Sequence, residues 1–164
     1  MKSLRAEPPG DLPKILAEVA DRLGLEPEVK VRVVVEGTPR LLHPIVSEEI
    51  ERIAAEALFN SLRHARARSV EIGVSYGRRA LGVRFRDDGV GLDQTVLDRG
   101  GREGHFGLTG MGERARKIQA AFEILSRPGA GAEIELTIPA GVAYLTAGKR
   151  AWPFGLRRVL TSET

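Results

Sequence analysis

Glu56, Asn60 and His64 stand at i, i+4 and i+8 in the stretch EALFNSLRHA (56–65). On a helix, that spacing sets three polar side chains in one line. A carboxylate there can orient water or a metal-bound group. A neutral amide oxygen is a hard ligand of the kind Mg²⁺ accepts. Arg63, beside the line, and His64, within it, carry groups that can meet phosphate. The same spacing also fits a plain solvated helix face.

Two further stretches concentrate glycine. In RDDGVGLD (86–93), Asp87 precedes Gly89 and Gly91. A carboxylate at that point can accept a hydrogen bond from an amino group, and glycines beside it let a flat ring approach the backbone. An adenine base offers both an amine and a flat ring, although a simple turn has the same wording. In GREGHFGLTGMGERARKI (101–118), five glycines fall within twelve residues and a good helix follows. Helix N-termini present unpaired N–H groups and a positive dipole end, and Gly107 and Gly110 there let phosphate come close. Two other phosphate motifs fail. Gly148-Lys149 runs into Arg150 without the upstream glycine of a P-loop, and GVGLDQ (89–94) ends in Gln94 with no helix after it.

These residues need elements to position them. Leu12, Ile15, Leu16, Val19 and Leu23 recur at helical intervals, and Gly24 suits the end of that helix. VKVRVVVEG (29–37) alternates as a strand. A long amphipathic helix spans 47–66, with Ser47, Glu48 and Glu49 suited to its N-terminus. Its apolar arc centres on Ala54, Ser61 and Ala65, the polar line borders that arc, and Phe59 points away from it. SVEIGVSYG and ALGVRFRDD read as a hairpin around Gly77-Arg78-Arg79, and AFEILSR and AEIELTIP as a second around residues 128–131. Residues 88–106 read as a loop and about 107–120 as a helix. Two hairpins plus helices predict an α/β two-layer sandwich, a mixed sheet covered on one face by helices. The expected organisation is a flexible N-terminus (1–10), one domain (11–140) and a basic tail (141–164).

The chain has 164 residues, 42% of them hydrophobic and 29% charged, which suits one soluble domain. No apolar run approaches the roughly 20 residues that span a bilayer, and the N-terminus lacks the apolar core of a signal peptide. The absence of cysteine excludes disulfides and thiolate metal sites. A cytoplasmic location fits these features. Net charge is +3, with basic residues clustered only at Lys149, Arg150, Arg157 and Arg158, so no nucleic-acid partner is expected.

Taken together and in this order, the motifs resemble those of the GHKL, or Bergerat-fold, ATPase superfamily over about residues 30–140. EALFNSLRHA resembles its N box, DDGVG (87–91) its first glycine box, and GHFGLTGMGERA (104–115) its second. The wording is similar to that of sensor histidine kinases of the NarX/DesK type or of the triple-tyrosine-sensor type. The resemblance implies a Bergerat fold that binds ATP with Mg²⁺ and passes the γ-phosphoryl group to a histidine on a separate dimerisation domain. It implies that Asn60 ligates Mg²⁺, that Glu56 supports the metal-water shell or acts as base, and that Arg63 and His64 lie near phosphate. By the same resemblance Asp87 binds the adenine amine, Gly89 and Gly91 line the pocket, and Gly107, Leu108 and Gly110 cradle phosphates. His105 belongs to the second glycine box, and residues 92–106 form an ATP lid. Two positions depart from the pattern: Gly112 stands where the family usually has Arg, and Ala132 where it often has Thr. None of His43, His64 and His105 reads as a phosphoacceptor. The implied partners are therefore a histidine-bearing dimerisation domain, in the same longer protein or a partner, and a downstream response regulator. A membrane enters only through a sensor region. An anti-sigma-type serine kinase, another GHKL ATPase and a non-catalytic nucleotide-sensing adaptor are the alternatives.

Overall fold

The computed structural model describes residues 11–92 and 107–146. Its first helix, α1 (Leu12–Arg22), is capped by Asp11, whose side chain accepts from the Lys14 amide. Gly24, at φ +60°, takes the left-handed turn that leads the chain away from it. Strand β1 (Lys30–Glu36) follows, and then α2 (Pro44–Phe59). This second helix starts one turn earlier than Ser47. Proline occupies its first turn, where its fixed φ suits a helix and its missing N–H costs nothing. His43 caps it, its Nδ1 accepting from the Ile45 amide at 3.3 Å. Ser47 is already inside, donating to the His43 carbonyl. Beyond Phe59 the helix widens into a π turn, Asn60–His64.

Strands β2 (Ser69–Tyr76) and β3 (Ala80–Asp87) form the first expected hairpin. Helix α3 (Leu108–Lys117) leads into the second, β4 (Ala121–Ser126) and β5 (Ala132–Pro139), and a short α4 (Ala140–Ala143) closes the described chain. The sheet order is β1-β2-β3-β5-β4. β1 and β2 are parallel, joined by the α2 crossover, and every other pair is antiparallel. The mixed sheet is as expected. Alternation along the strands gives it two unlike faces. Val70, Ile72 and Val74, with Leu81, Val83 and Phe85 beside them, are buried in one core with Leu16, Ile50, Ile53 and Met111 of the helices. The opposite face carries Glu71, Arg84 and Glu135 and is polar.

The domain boundary read at residue 140 falls inside this core. Val142, Ala143 and Tyr144 are buried. The Tyr144 hydroxyl donates to the carbonyls of Gly77 (3.0 Å) and Ala80 (3.3 Å), and the Arg40 guanidinium lies 3.7 Å from its ring centre. Among the described residues, no helix is long and apolar enough to cross a membrane.

Candidate functional site

Asp87 ends β3, next to a cavity between the sheet and α2, and its carboxylate is held from three directions. Oδ1 accepts from the amides of Gly89 (2.9 Å) and Ala132 (3.3 Å), and Oδ2 accepts from the Ser61 hydroxyl (2.7 Å). Its neighbour Asp88 does other work: one oxygen accepts from the amides of Arg68 and Ser69, fixing the start of β2. The sequence alone does not separate the two roles in the Asp-Asp pair. The cavity is also lined by Asn60, Phe85, Leu92, Leu108 and Ile134 and holds about 20 Å³. That is room for about one water molecule. Larger openings of about 250 and 330 Å³ lie elsewhere, on the polar face of the sheet and beside Phe59.

Gly89 and Gly91 have a reason to be glycine that the sequence does not reveal. A Cβ on Gly89 would overlap the Ala65 carbonyl. One on Gly91, which sits at φ +76°, would overlap that of Arg127. Gly131, at φ +82°, is pressed in the same way against the Asp87 carbonyl. Three backbone segments are thus stacked without side chains between them, and Gly129 N–H donates to the Val90 carbonyl at 2.7 Å to lock the stack. These glycines let the chain pack against itself beside Asp87.

The π turn decides which polar residues face inward. Ala65 N–H bonds back to the Asn60 carbonyl, five residues earlier, at 2.9 Å. Asn60 and Ser61 are buried, whereas Arg63 and His64 are exposed. The single line drawn from Glu56 through His64 therefore breaks at the widened turn. Arg63 lines the separate groove with Phe59, Leu62 and Leu25. Phe59 is 42% exposed, as its helical angle predicts, and meets the His64 ring edge-on with centroids 5.8 Å apart.

Glu56, one turn before Asn60, reaches the start of α3. Gly107 is the N-cap there, at φ +61°, and a Cβ on it would overlap the Glu56 carboxylate. An anion at this end of α3 is favoured by the helix dipole. The amides of Leu108 and Gly110, in the first turn, have no acceptor inside the helix. Gly110 differs from Gly107: a Cβ added to it would meet nothing within 4 Å. The structure thus gathers Glu56, Asn60, Asp87, Gly107, Leu108 and Gly110 around one region and sets Arg63 apart. His105 and the expected lid, apart from Leu92, lie outside the described residues.

Two buried polar groups beside the site escape a reading by pattern. Ser61 falls at the centre of the apolar arc and so reads as a core position. The signal is that a buried hydroxyl must find a partner. Glu49 reads as a charge for the start of α2. It is instead 4% exposed and bonded to Lys117 Nζ (2.8 Å) and Arg114 Nη1 (3.1 Å) of α3.

Residues 45–142 match the family described as histidine kinase-, DNA gyrase B-, and HSP90-like ATPase. The chain is 35% identical over 88 residues to the signal transduction histidine-protein kinase/phosphatase DegS of Brevibacillus brevis, covering 54% of this chain and 22% of that protein. It is 37% identical over 94 residues to the sensor protein VraS of Staphylococcus saprophyticus, covering 57% and 26% respectively. The chain thus spans about a quarter of the length of these curated relatives. In fold it is similar to the ATP-binding domain of PrrB from Mycobacterium tuberculosis (TM-score 0.63, 19% identity, covering 79% of this chain and 93% of that one). It is similar too to the blue-light activated histidine kinase EL346 of Erythrobacter litoralis (TM-score 0.66, 23% identity, covering 80% and 42%).

Proposed function

We propose that this chain, which belongs to the histidine kinase-, DNA gyrase B- and HSP90-like ATPase family, is the ATP-binding catalytic part of a sensor histidine kinase. In this reading it passes the γ-phosphoryl group of ATP to a histidine on a separate dimerisation domain, and a response regulator acts downstream. The observation that carries the reading is the Asp87 carboxylate, held by three donors at a cavity that Asn60 also lines. A fixed, charged acceptor suits an exocyclic amine, and the apolar walls formed by Phe85, Leu92 and Ile134 suit a flat base. The cavity opens to admit it.

The phosphates then lie toward α3, where the amides of Leu108 and Gly110 donate to them and the open side of Gly110 lets them approach. Asn60 and Glu56 supply hard oxygen donors one helical turn apart, a set that fits Mg²⁺ sharing its shell with water and phosphate. Bound there, Mg²⁺ supplies neutralisation of phosphate charge. With the ion in place, Glu56 would orient water beside it, its carboxylate lying against Gly107 at the start of α3. The chain's own contribution is positioning and fixed electrostatics, which is where phosphoryl transfer gains most.

The test is to incubate the chain with γ-labelled ATP, Mg²⁺ and histidine-bearing dimerisation domains of related sensor kinases. Acid-labile, alkali-stable label on the acceptor histidine is expected. Label on serine of a supplied protein would instead indicate a serine kinase, and ATP binding with no transfer to any acceptor an adaptor.

A further inference from the structure

An ionised carboxylate offers about four acceptor positions. In Asp87, two on Oδ1 are taken by the amides of Gly89 and Ala132, and one on Oδ2 by the Ser61 hydroxyl. Among the described residues, nothing takes the remaining acceptor position on Oδ2. Ser61 is 6% exposed, lines the same cavity and sits beside Asn60 in the π turn. Its contact with Oδ2 is 2.7 Å, short as hydrogen bonds to a charged oxygen are. The two backbone donors grip only Oδ1, so on their own they leave the carboxylate free to swing about that oxygen. Ser61 is the donor on the other oxygen, and it stops the swing. Ala132 contributes its amide to this arrangement and has no hydroxyl to add.

We infer that Ser61 is a positioning residue for base selection: by holding Oδ2 it aims the last acceptor of Asp87 at the amino group of the purine and so sets the preference for amino over oxo purines. The inference rests on the reading of Asp87 as the base-binding carboxylate. A hydroxyl with only a packing role would affect all nucleotides alike. A positioning role shows only with a base that carries the amine, and only while Asp87 is present.

The experiment is a calorimetric double-mutant cycle on the full chain with Mg²⁺, using ADP and inosine diphosphate, whose base has an oxo group in place of the amine. The proteins are the wild type, Ser61→Ala, Asp87→Asn and the double variant, with thermal unfolding run on each. Ser61→Ala is expected to weaken ADP about tenfold, the loss of one hydrogen bond to a charged group, and to leave inosine diphosphate within about twofold. The double variant is expected to bind ADP no more weakly than Asp87→Asn alone. Equal weakening of both nucleotides by Ser61→Ala, unchanged ADP binding, or additive losses in the double variant would each overturn the inference while leaving ATP binding intact. A folded wild-type chain that binds neither nucleotide would overturn the functional reading itself, and the inference with it.

Discussion

Asp87→Asn tests the base site at its most exposed assumption. An amide at position 87 keeps one oxygen for the Gly89 and Ala132 amides, and its nitrogen then faces the Ser61 hydroxyl and the incoming amine. A charged acceptor becomes a donor meeting a donor. The loss is about 1.5–3 kcal/mol, or about ten- to a hundredfold in ADP affinity by calorimetry. An unchanged affinity would remove Asp87 from the base site. Asp87 is legible in the sequence only through the company of the other two motifs, since a carboxylate near Gly-x-Gly also suits a simple turn. The reason for its glycines is not legible. They read as clearance for a ligand, whereas Gly89 and Gly91 clear the carbonyls of Ala65 and Arg127. Sequence wording shows that a side chain is absent but not which neighbour requires its absence. Ser61 is hidden for a related reason: helical angle places it correctly in the buried arc, but only the third dimension brings Asp87 to it.

At the scale of elements, the local pairings are readable in the sequence and the long-range ones are not. Both hairpins follow from alternation around Gly-rich turns. The parallel β1–β2 pair and the insertion of β5 between β3 and β4 bring distant segments together, and strand periodicity carries no information about which strand lies alongside. The π turn escapes because a 3.6-residue period is carried throughout a helix, and the widened turn leaves Arg63 and His64 exposed, with Arg63 lining a separate groove. Helix α3 offers the cleaner experiment. Glycine in a helix interior costs about 1 kcal/mol relative to alanine. Gly110 and Gly112 both have room for a Cβ: the first meets nothing within 4 Å, and the second meets the Phe122 ring at an ordinary 3.8 Å. Gly110→Ala and Gly112→Ala should therefore each stabilise the nucleotide-free chain by about 0.5–1 kcal/mol, or roughly 2–3 °C in Tm. They should differ in binding: alanine at 110 narrows the approach to the helix amides and weakens ADP, whereas alanine at 112 leaves ADP affinity unchanged. Equal affinity in the two variants would show that the opening at Gly110 is not used by phosphate.

Across the whole molecule, the candidate site is divided between two bodies of structure, and its geometry depends on how they are joined. Asp87 belongs to the sheet, Ser61 and Asn60 to the π turn that follows α2, and the proposed phosphate end to α3. A polar tie between them is Glu49, with Lys117 at 2.8 Å and Arg114 at 3.1 Å. Burial on its own raises the carboxyl's pKa, but hydrogen bonds and charge from Lys117 and Arg114 outweigh it and leave it below the usual 4.5. A carboxylate with a lowered pKa in the folded state stabilises that state above its unfolded pKa and ceases to do so as pH falls through the folded value. The side chains of Arg114 and Lys117 are 36% and 62% exposed, so solvent screens much of the attraction. The net contribution is about 1–2 kcal/mol at neutral pH. Glu49→Gln should therefore unfold at lower urea concentration than the wild type at pH 7. The difference should shrink as pH falls below about 4.5 and on through the lower folded pKa, until protonated Glu49 resembles the glutamine. Because the tie is remote from Asp87, the variant at pH 7 should lose ADP affinity through the phosphate end, with AMP, which carries a single phosphate, affected less than ADP. A urea difference that stays the same from pH 7 to pH 3 would show that Glu49 holds α3 by packing and not by charge.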